Sequence, residues 1–473
     1  MKRNTYILTM FFALLTIAFL NTGCGSDKKD DAIVLRVCNW EEYIDEGGWD
    51  EEELIELSDG TEIIGENSLI RDFEDWYFET YNQRVRVEYS TFGTNEELYN
   101  QLTIGDVYDL VCPSEYMIMK LIRKDMALPF SESFYDTAIS ENYYAKGVSP
   151  YIKEVYDKLN IDGKLLSSYA AGYMWGTLGI VYNPEEVSHE EAKHWSILTN
   201  ESFYKRVTIK DSVRDAYFAA LCLEFFDDIT AEEFINASDY QEELSKILNR
   251  TDKETVDAAQ EILTACKDNV YSFETDSGKA DMVTGKVVAN QQWSGDAVYT
   301  MDQADEDGIE LCYMAPEEGT NLWFDGWIML KNGINQDGRK QHAAEAFVNF
   351  CSKPENAIRN MYYIGYTSVI SGGDSDLIFE YCDWNYGADE DEEETGEYSI
   401  GYFFEADTEE ANEKYTIIAP ISQLKRQLSA QYPLKSVVDR SVVMASFDDE
   451  SNERINRMWT NVRCFDMGKI FKQ

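Results

Sequence analysis

The residues of this chain that can do chemistry fall into aromatic–acid groupings: Asn39-Trp40-Glu41-Glu42-Tyr43 near the start and Trp323-Phe324-Asp325 far downstream. A carboxylate supplies the counter-charge an alkylammonium needs. A Trp or Tyr ring supplies apolar contact for methylenes and a cation–π face that adds ~0.5–2 kcal/mol. Catalytic alternatives are thin. The chain has only three histidines, and His189 and His194, which flank a superficially HExxH-like segment, stand five apart. On a helix that sets the two rings about 140° from each other instead of on one face. No GxSxG elbow, Walker A loop or GxGxxG turn occurs. A surface hydrolase working through paired carboxylates is the enzymatic competitor, because 89 acidic residues do not exclude it by counting.

The elements that must position these groups follow a βαβ rhythm. Strand-like runs at Ile33 to Cys38, Arg84 to Tyr89 and Tyr108 to Cys112 alternate with an amphipathic stretch at Leu69, Ile70, Phe73, Trp76 and Tyr77. The rhythm restarts after Tyr173, with strands expected at Thr177 to Tyr182 and Arg206 to Ile209. It predicts an α/β protein with two doubly wound lobes and mostly parallel sheets. Ligand crevices in such sheets open at strand ends, where several of the groupings lie. Gly47 to Asn67 and the acidic region 372–416, which contains six consecutive acids from Asp389 to Glu394, are expected to be solvated surface insertions. The acidic run lacks the spacing and glycine of an EF-hand, so no metal site is expected there.

The amino terminus has the form of an export signal. Lys2 and Arg3 precede an apolar run from Tyr6 to Leu20, and Gly23-Cys24 supplies the small residue and thiol of a lipidation site, with Asn21 an unusual residue three before Cys24. The run is shorter than the ~20 apolar residues of a spanning helix. The expectation is a 1–24 lipoprotein signal, a lipid on Cys24, a 25–31 linker and a life outside the cell. A net charge of −48 argues against nucleic acid and against docking on anionic lipid, and favours cationic partners. The eight further cysteines form no CxxC pair and sit in apolar text, which predicts buried free thiols.

Asn39-Trp40-Glu41-Glu42-Tyr43 resembles the first-strand ending of the spermidine/putrescine-binding proteins of bacterial polyamine ABC importers. The resemblance continues in order through Tyr108-Asp109-Leu110-Val111-Cys112-Pro113-Ser114-Glu115-Tyr116, Tyr173-Met174-Trp175-Gly176-Thr177, Asp211-Ser212-Val213-Arg214-Asp215, Trp293-Ser294-Gly295, Trp323-Phe324-Asp325 and Ile364-Gly365-Tyr366. It implies a type II periplasmic-binding-protein fold whose lobes close on a hinge. Lobe 1 would comprise 32–176 and 325–372, and lobe 2 would comprise 177–324 and 373–473, with the acidic insertion 372–416 assignable to either lobe. It also implies an aromatic box of Trp40, Tyr43, Trp293, Trp323 and Tyr366. Glu42, Asp215 and Asp325 would be counter-ions, with Glu41 as a further candidate, and Ser114 and Tyr116 would form hydrogen bonds. The family's late glutamine contact has no counterpart near Met444 and Ala445, and Ser212 stands where relatives carry an acid. The implied partners are a polyamine, a membrane permease with its cytoplasmic ATPase, and the membrane through the lipid. The protein would be a monomer without cofactor or catalytic activity. Capture of another small ligand, such as an amino acid, a metal complex or a thiamine-like cation, is the nearest alternative.

Overall fold

The computed structural model describes residues 32–275, 277–389 and 391–464. The signal segment 1–24, Cys24 and the 25–31 linker lie outside the described residues.

In chain order, the elements that frame the site are β1 (Ile33–Trp40), α1 (Leu69–Tyr81), β2 (Val85–Phe92), α2 (Asn95–Ile104), β3 (Leu110–Val111) and α3 (Glu115–Arg123). They are followed by β4 (Ala170–Tyr182), β5 (Val207–Lys210), α4 (Val213–Glu224), β6 (Ser272–Glu274), β7 (Ala289–Trp293), α5 (Ser294–Glu306), β8 (Thr320–Leu330), β9 (Thr367–Ser368) and α6 (Asp449–Cys464). Local signals explain their ends. Helix α1 starts where Ser68 Oγ accepts from Arg71 N at 3.3 Å, buries Leu69, Phe73 and Tyr77 on one stripe, and stops at Asn82 in the left-handed conformation, φ 50°.

The sheet runs β6-β5-β7-β4-β8-β3-β1-β2. Its ends are parallel, β1 against β2 and β3, and β5 against β6 and β7. Its middle is not. Strands β4 and β8 run antiparallel to each other and to their outer neighbours β7 and β3. The expected mostly parallel sheet is thus corrected to a mixed one, because two long strands cross between the lobes in opposite directions. All 13 residues of β4 and all 11 of β8 are buried, which accounts for their near-continuous apolar text. Gly176 pairs with Trp323, and Thr367 of β9 pairs with Trp175. Three chain passages therefore meet at the middle of the sheet.

Two main cores flank this middle. One gathers Leu35, Val37, Phe73, Ile118 and Phe347, and the other Leu178, Ile209, Leu221 and Leu263. Residues of the stretch 373–473 pack in both cores. Ile378, Tyr381, Tyr398, Phe403, Ile417 and Val438 pack in the first core, whereas Val442, Met444, Ile455 and Met458 pack in the second. The region 372–416 is accordingly no solvated loop: aromatics such as Tyr398 and Phe403 are core, while Asp391 to Glu394 and Glu405 to Glu410 are exposed. The 47–67 insertion is likewise pinned by buried Trp49, Ile55, Leu57 and Ile63. Seven of the eight cysteines are buried free thiols, and Cys464 is exposed.

Candidate functional site

At the end of β1 the chain makes a turn that Asn39 holds. Its Oδ1 accepts from Trp40 N at 2.9 Å and its Nδ2 donates to the Tyr43 carbonyl at 3.3 Å. The turn places Glu42 at φ 52°, a left-handed conformation, and returns Tyr43 to the interior. Tyr43 then donates its hydroxyl to Asp325 Oδ2 at 2.8 Å. Ser114, just before α3, donates to the other oxygen of the same carboxylate at 2.7 Å. Asn95, opening α2, donates to Ser114 Oγ at 3.1 Å and to the Tyr116 hydroxyl at 3.0 Å.

Asp325 is the centre of this arrangement. It is only 6% exposed. Burial pushes its pKa up to about 6, against the lowering by Ser114, Tyr43 and Trp40. Burial and the adjacent Asp325 charge push the Tyr43 phenol far above its ordinary value, so it stays a donor. The rings close around the carboxylate. Tyr366 meets Tyr43 edge-on at 4.9 Å and Trp323 at 5.7 Å between centroids, and Trp40 leans on Phe92 at 4.7 Å.

Two glycines make this closeness possible. A Cβ on Gly295 would stand 2.4 Å from the Tyr366 ring, and one on Gly176 would stand 2.1 Å from Ser294 Oγ and 2.6 Å from the Trp323 ring. The Trp-Ser-Gly and Trp-Gly-Thr spacings are therefore packing requirements of the site.

From the other lobe come Asp215, in the first turn of α4, and Trp293, at the end of β7. Burial raises the Asp215 carboxyl, opposed by hydrogen bonds from Ser212 and Trp293 and by the charges of Lys210 and Arg214. All eleven residues singled out in the sequence line one cavity of about 930 Å³ between the lobes: Trp40, Glu41, Glu42, Tyr43, Ser114, Tyr116, Asp215, Trp293, Trp323, Asp325 and Tyr366. They are not equivalent. Glu41 and Glu42 are exposed, whereas Asp215 and Asp325 are buried. Tyr116 is committed to Asn95, to Glu96 at 3.3 Å and to the Arg214 guanidinium 4.5 Å above its ring.

The cavity also holds residues that sequence reasoning missed. Lys210 sets its ammonium 3.9 Å from the Trp293 ring centroid and 2.8 Å from Asp296 Oδ2. Lys279 reaches Asp296 Oδ1 at 3.3 Å, and Tyr366 donates to that oxygen at 2.9 Å. Burial raises the Asp296 carboxyl, but the two lysines outweigh it and hold the pKa at about 2. Glu115 is fully enclosed, and desolvation lifts it to about 8, so it carries a proton at neutral pH. A signal for the first pair existed in the text: Asp296 immediately follows Trp293-Ser294-Gly295, and Lys210 immediately precedes Asp211-Ser212. Among the described residues no group of three or more His, Cys, Asp and Glu side chains stands ready to hold a metal.

Residues 69–375 match the family of bacterial extracellular solute-binding proteins. The chain belongs to that family. It is similar to the spermidine/putrescine-binding periplasmic protein 1 of Haemophilus influenzae, at 22% identity over 77% of this chain and 85% of that one. It is also similar to the putrescine-binding periplasmic protein SpuD of Pseudomonas aeruginosa, at 24% identity over 72% and 80%. The solved spermidine/putrescine ABC transporter substrate-binding protein PotD of Streptococcus pneumoniae superposes with a TM-score of 0.57, at 22% identity, over 93% of this chain and 100% of its own. That superposition, with the lobes and crossings above, establishes the two-lobed binding-protein fold. No helix among the described residues is long and apolar enough to cross a membrane.

Proposed function

We propose that this protein captures polyamines outside the cell and delivers them to an ABC importer. The observation that carries the reading is Asp325, a desolvated carboxylate held at both oxygens by Ser114 and Tyr43 inside a frame of Trp40, Trp323 and Tyr366. Such a group is costly to leave bare and attractive to an alkylammonium, whose charge it neutralises and whose methylenes the rings cover. Asp215 across the cleft provides a second carboxylate for a ligand charged at both ends. The polyamine names of the Haemophilus influenzae and Pseudomonas aeruginosa relatives support the same ligand class.

In this reading the lobes hinge shut about the crossing strands, and a permease with a cytoplasmic ATPase takes the ligand from the closed form. Cys24 carries a lipid that tethers the protein to the outer face of the membrane, or in the periplasm of a two-membrane cell. The protein acts as a monomer and performs no catalysis.

The test is a thermal-shift screen followed by calorimetry with putrescine, spermidine, amino acids and calcium. A ligand of the folded state raises the unfolding midpoint. Saturable binding of a polyamine, with no shift from the others, is the expected result. A shift from an amino acid or from calcium without any polyamine binding overturns the reading.

A further inference from the structure

The second-lobe end of the cleft repeats the chemistry of the Asp325 box with one difference: its cation is already there. The Lys210 side chain is 1% exposed. Its ammonium donates to Asp296 at 2.8 Å and to the Thr275 carbonyl at 3.1 Å, and it faces the Trp293 ring at 3.9 Å. A carboxylate beneath an aromatic face is what a ligand ammonium would seek, and Lys210 has taken both.

We propose that Lys210 is a resident ammonium that occupies the Trp293–Asp296 end of the cleft in place of a ligand's terminal amine, so that the cleft selects diamines over longer triamines. The inference rests on the polyamine reading above. The charges of the buried part agree with it. Lys210 and Lys279 both pair with Asp296, which leaves Asp325 and Asp215 as the buried carboxylates for a ligand's two ammonium groups and none for a third. Glu115, protonated at neutral pH, adds none. A triamine reaching this end meets Lys210 as a like charge in a desolvated site, which is strongly unfavourable. A diamine spanning Asp325 and Asp215 does not.

The test is calorimetry with putrescine and spermidine on the full protein and on Lys210→Met. Methionine keeps an unbranched apolar stem, and Asp296 retains Lys279 and Tyr366 as partners. The wild type is expected to prefer putrescine. In Lys210→Met the ratio of the two dissociation constants should move toward spermidine by about tenfold or more, through a gain in spermidine affinity. Lys210→Arg, which keeps the charge, should retain the wild-type preference. If Lys210→Met shows no cooperative unfolding transition, Lys210→Gln, neutral but still able to donate to Asp296, is read by the same criterion. A ratio that moves less than twofold in a folded neutral variant overturns the role of Lys210 while the polyamine reading stands. A wild type that binds neither amine overturns both.

Discussion

Replacing Asp325 by asparagine should trade binding for stability, and the two changes should have opposite signs. The substitution keeps the side-chain shape and removes the charge that Ser114 and Tyr43 hold at 2.7 and 2.8 Å. For binding, truncating one partner of a desolvated charge pair costs ~2–5 kcal/mol, or roughly 30- to 5000-fold in Kd. For the ligand-free protein the sign reverses. The folded carboxyl has a pKa of about 6 against an ordinary value of 3.8. Folding is therefore favoured by the protonated form fully below the unfolded value, and that advantage is lost as pH rises through about 6. The shift corresponds to on the order of 3 kcal/mol at neutral pH, and an asparagine, which never ionises, escapes most of that penalty. Calorimetry at pH 7.5 reads the first effect and the unfolding midpoint without ligand reads the second. Loss of putrescine binding with an unchanged or raised midpoint is expected. A change in Kd below threefold removes Asp325 from the site, and a midpoint lowered by several degrees would show that the carboxylate serves packing instead of ligand.

Further outcomes follow from the same geometry. Polyamine affinity should be flat above pH 7 and fall below about pH 6 by up to tenfold per unit, as Asp325 takes up the proton that a bound cation would displace; affinity equal at pH 7.5 and pH 5 contradicts carboxylate recognition. Ligand addition should change intrinsic tryptophan fluorescence saturably, and Trp323→Ala should lose most binding because it removes the ring packed on Tyr366; normal binding by that variant would take Trp323 out of the site. Gly295→Ala should displace the Tyr366 ring that its Cβ would meet at 2.4 Å, weakening binding by about tenfold or more if the ring covers the ligand, whereas wild-type affinity would show that Tyr366 is mere scaffold.

The alternation of β-branched runs with amphipathic stretches determined the α/β class, because strand and helix periods are local properties of the chain. The ordered aromatic–acid motifs determined the residues of the cavity for a similar reason. Several sit at the end of a strand or the start of a helix, and Trp323-Phe324-Asp325 lies within β8, where a short spacing sets the direction in which a side chain leaves the backbone. Tertiary structure alone decided the rest. The exposure of Glu42 depends on the turn after β1, whose left-handed backbone at Glu42 accompanies the return of Tyr43 to the interior. The antiparallel crossing of β4 and β8 depends on strand partners some 150 residues apart, Gly176 and Trp323 among them. The packing of Tyr398 and Phe403 in the first core depends on a surface that no local pattern reveals. The pairing of Lys210 with Asp296, 86 residues away, depends on β5 and α5 meeting at one end of the cleft. A charge acquires its role from the groups that desolvate and face it, and those groups are assembled only by folding.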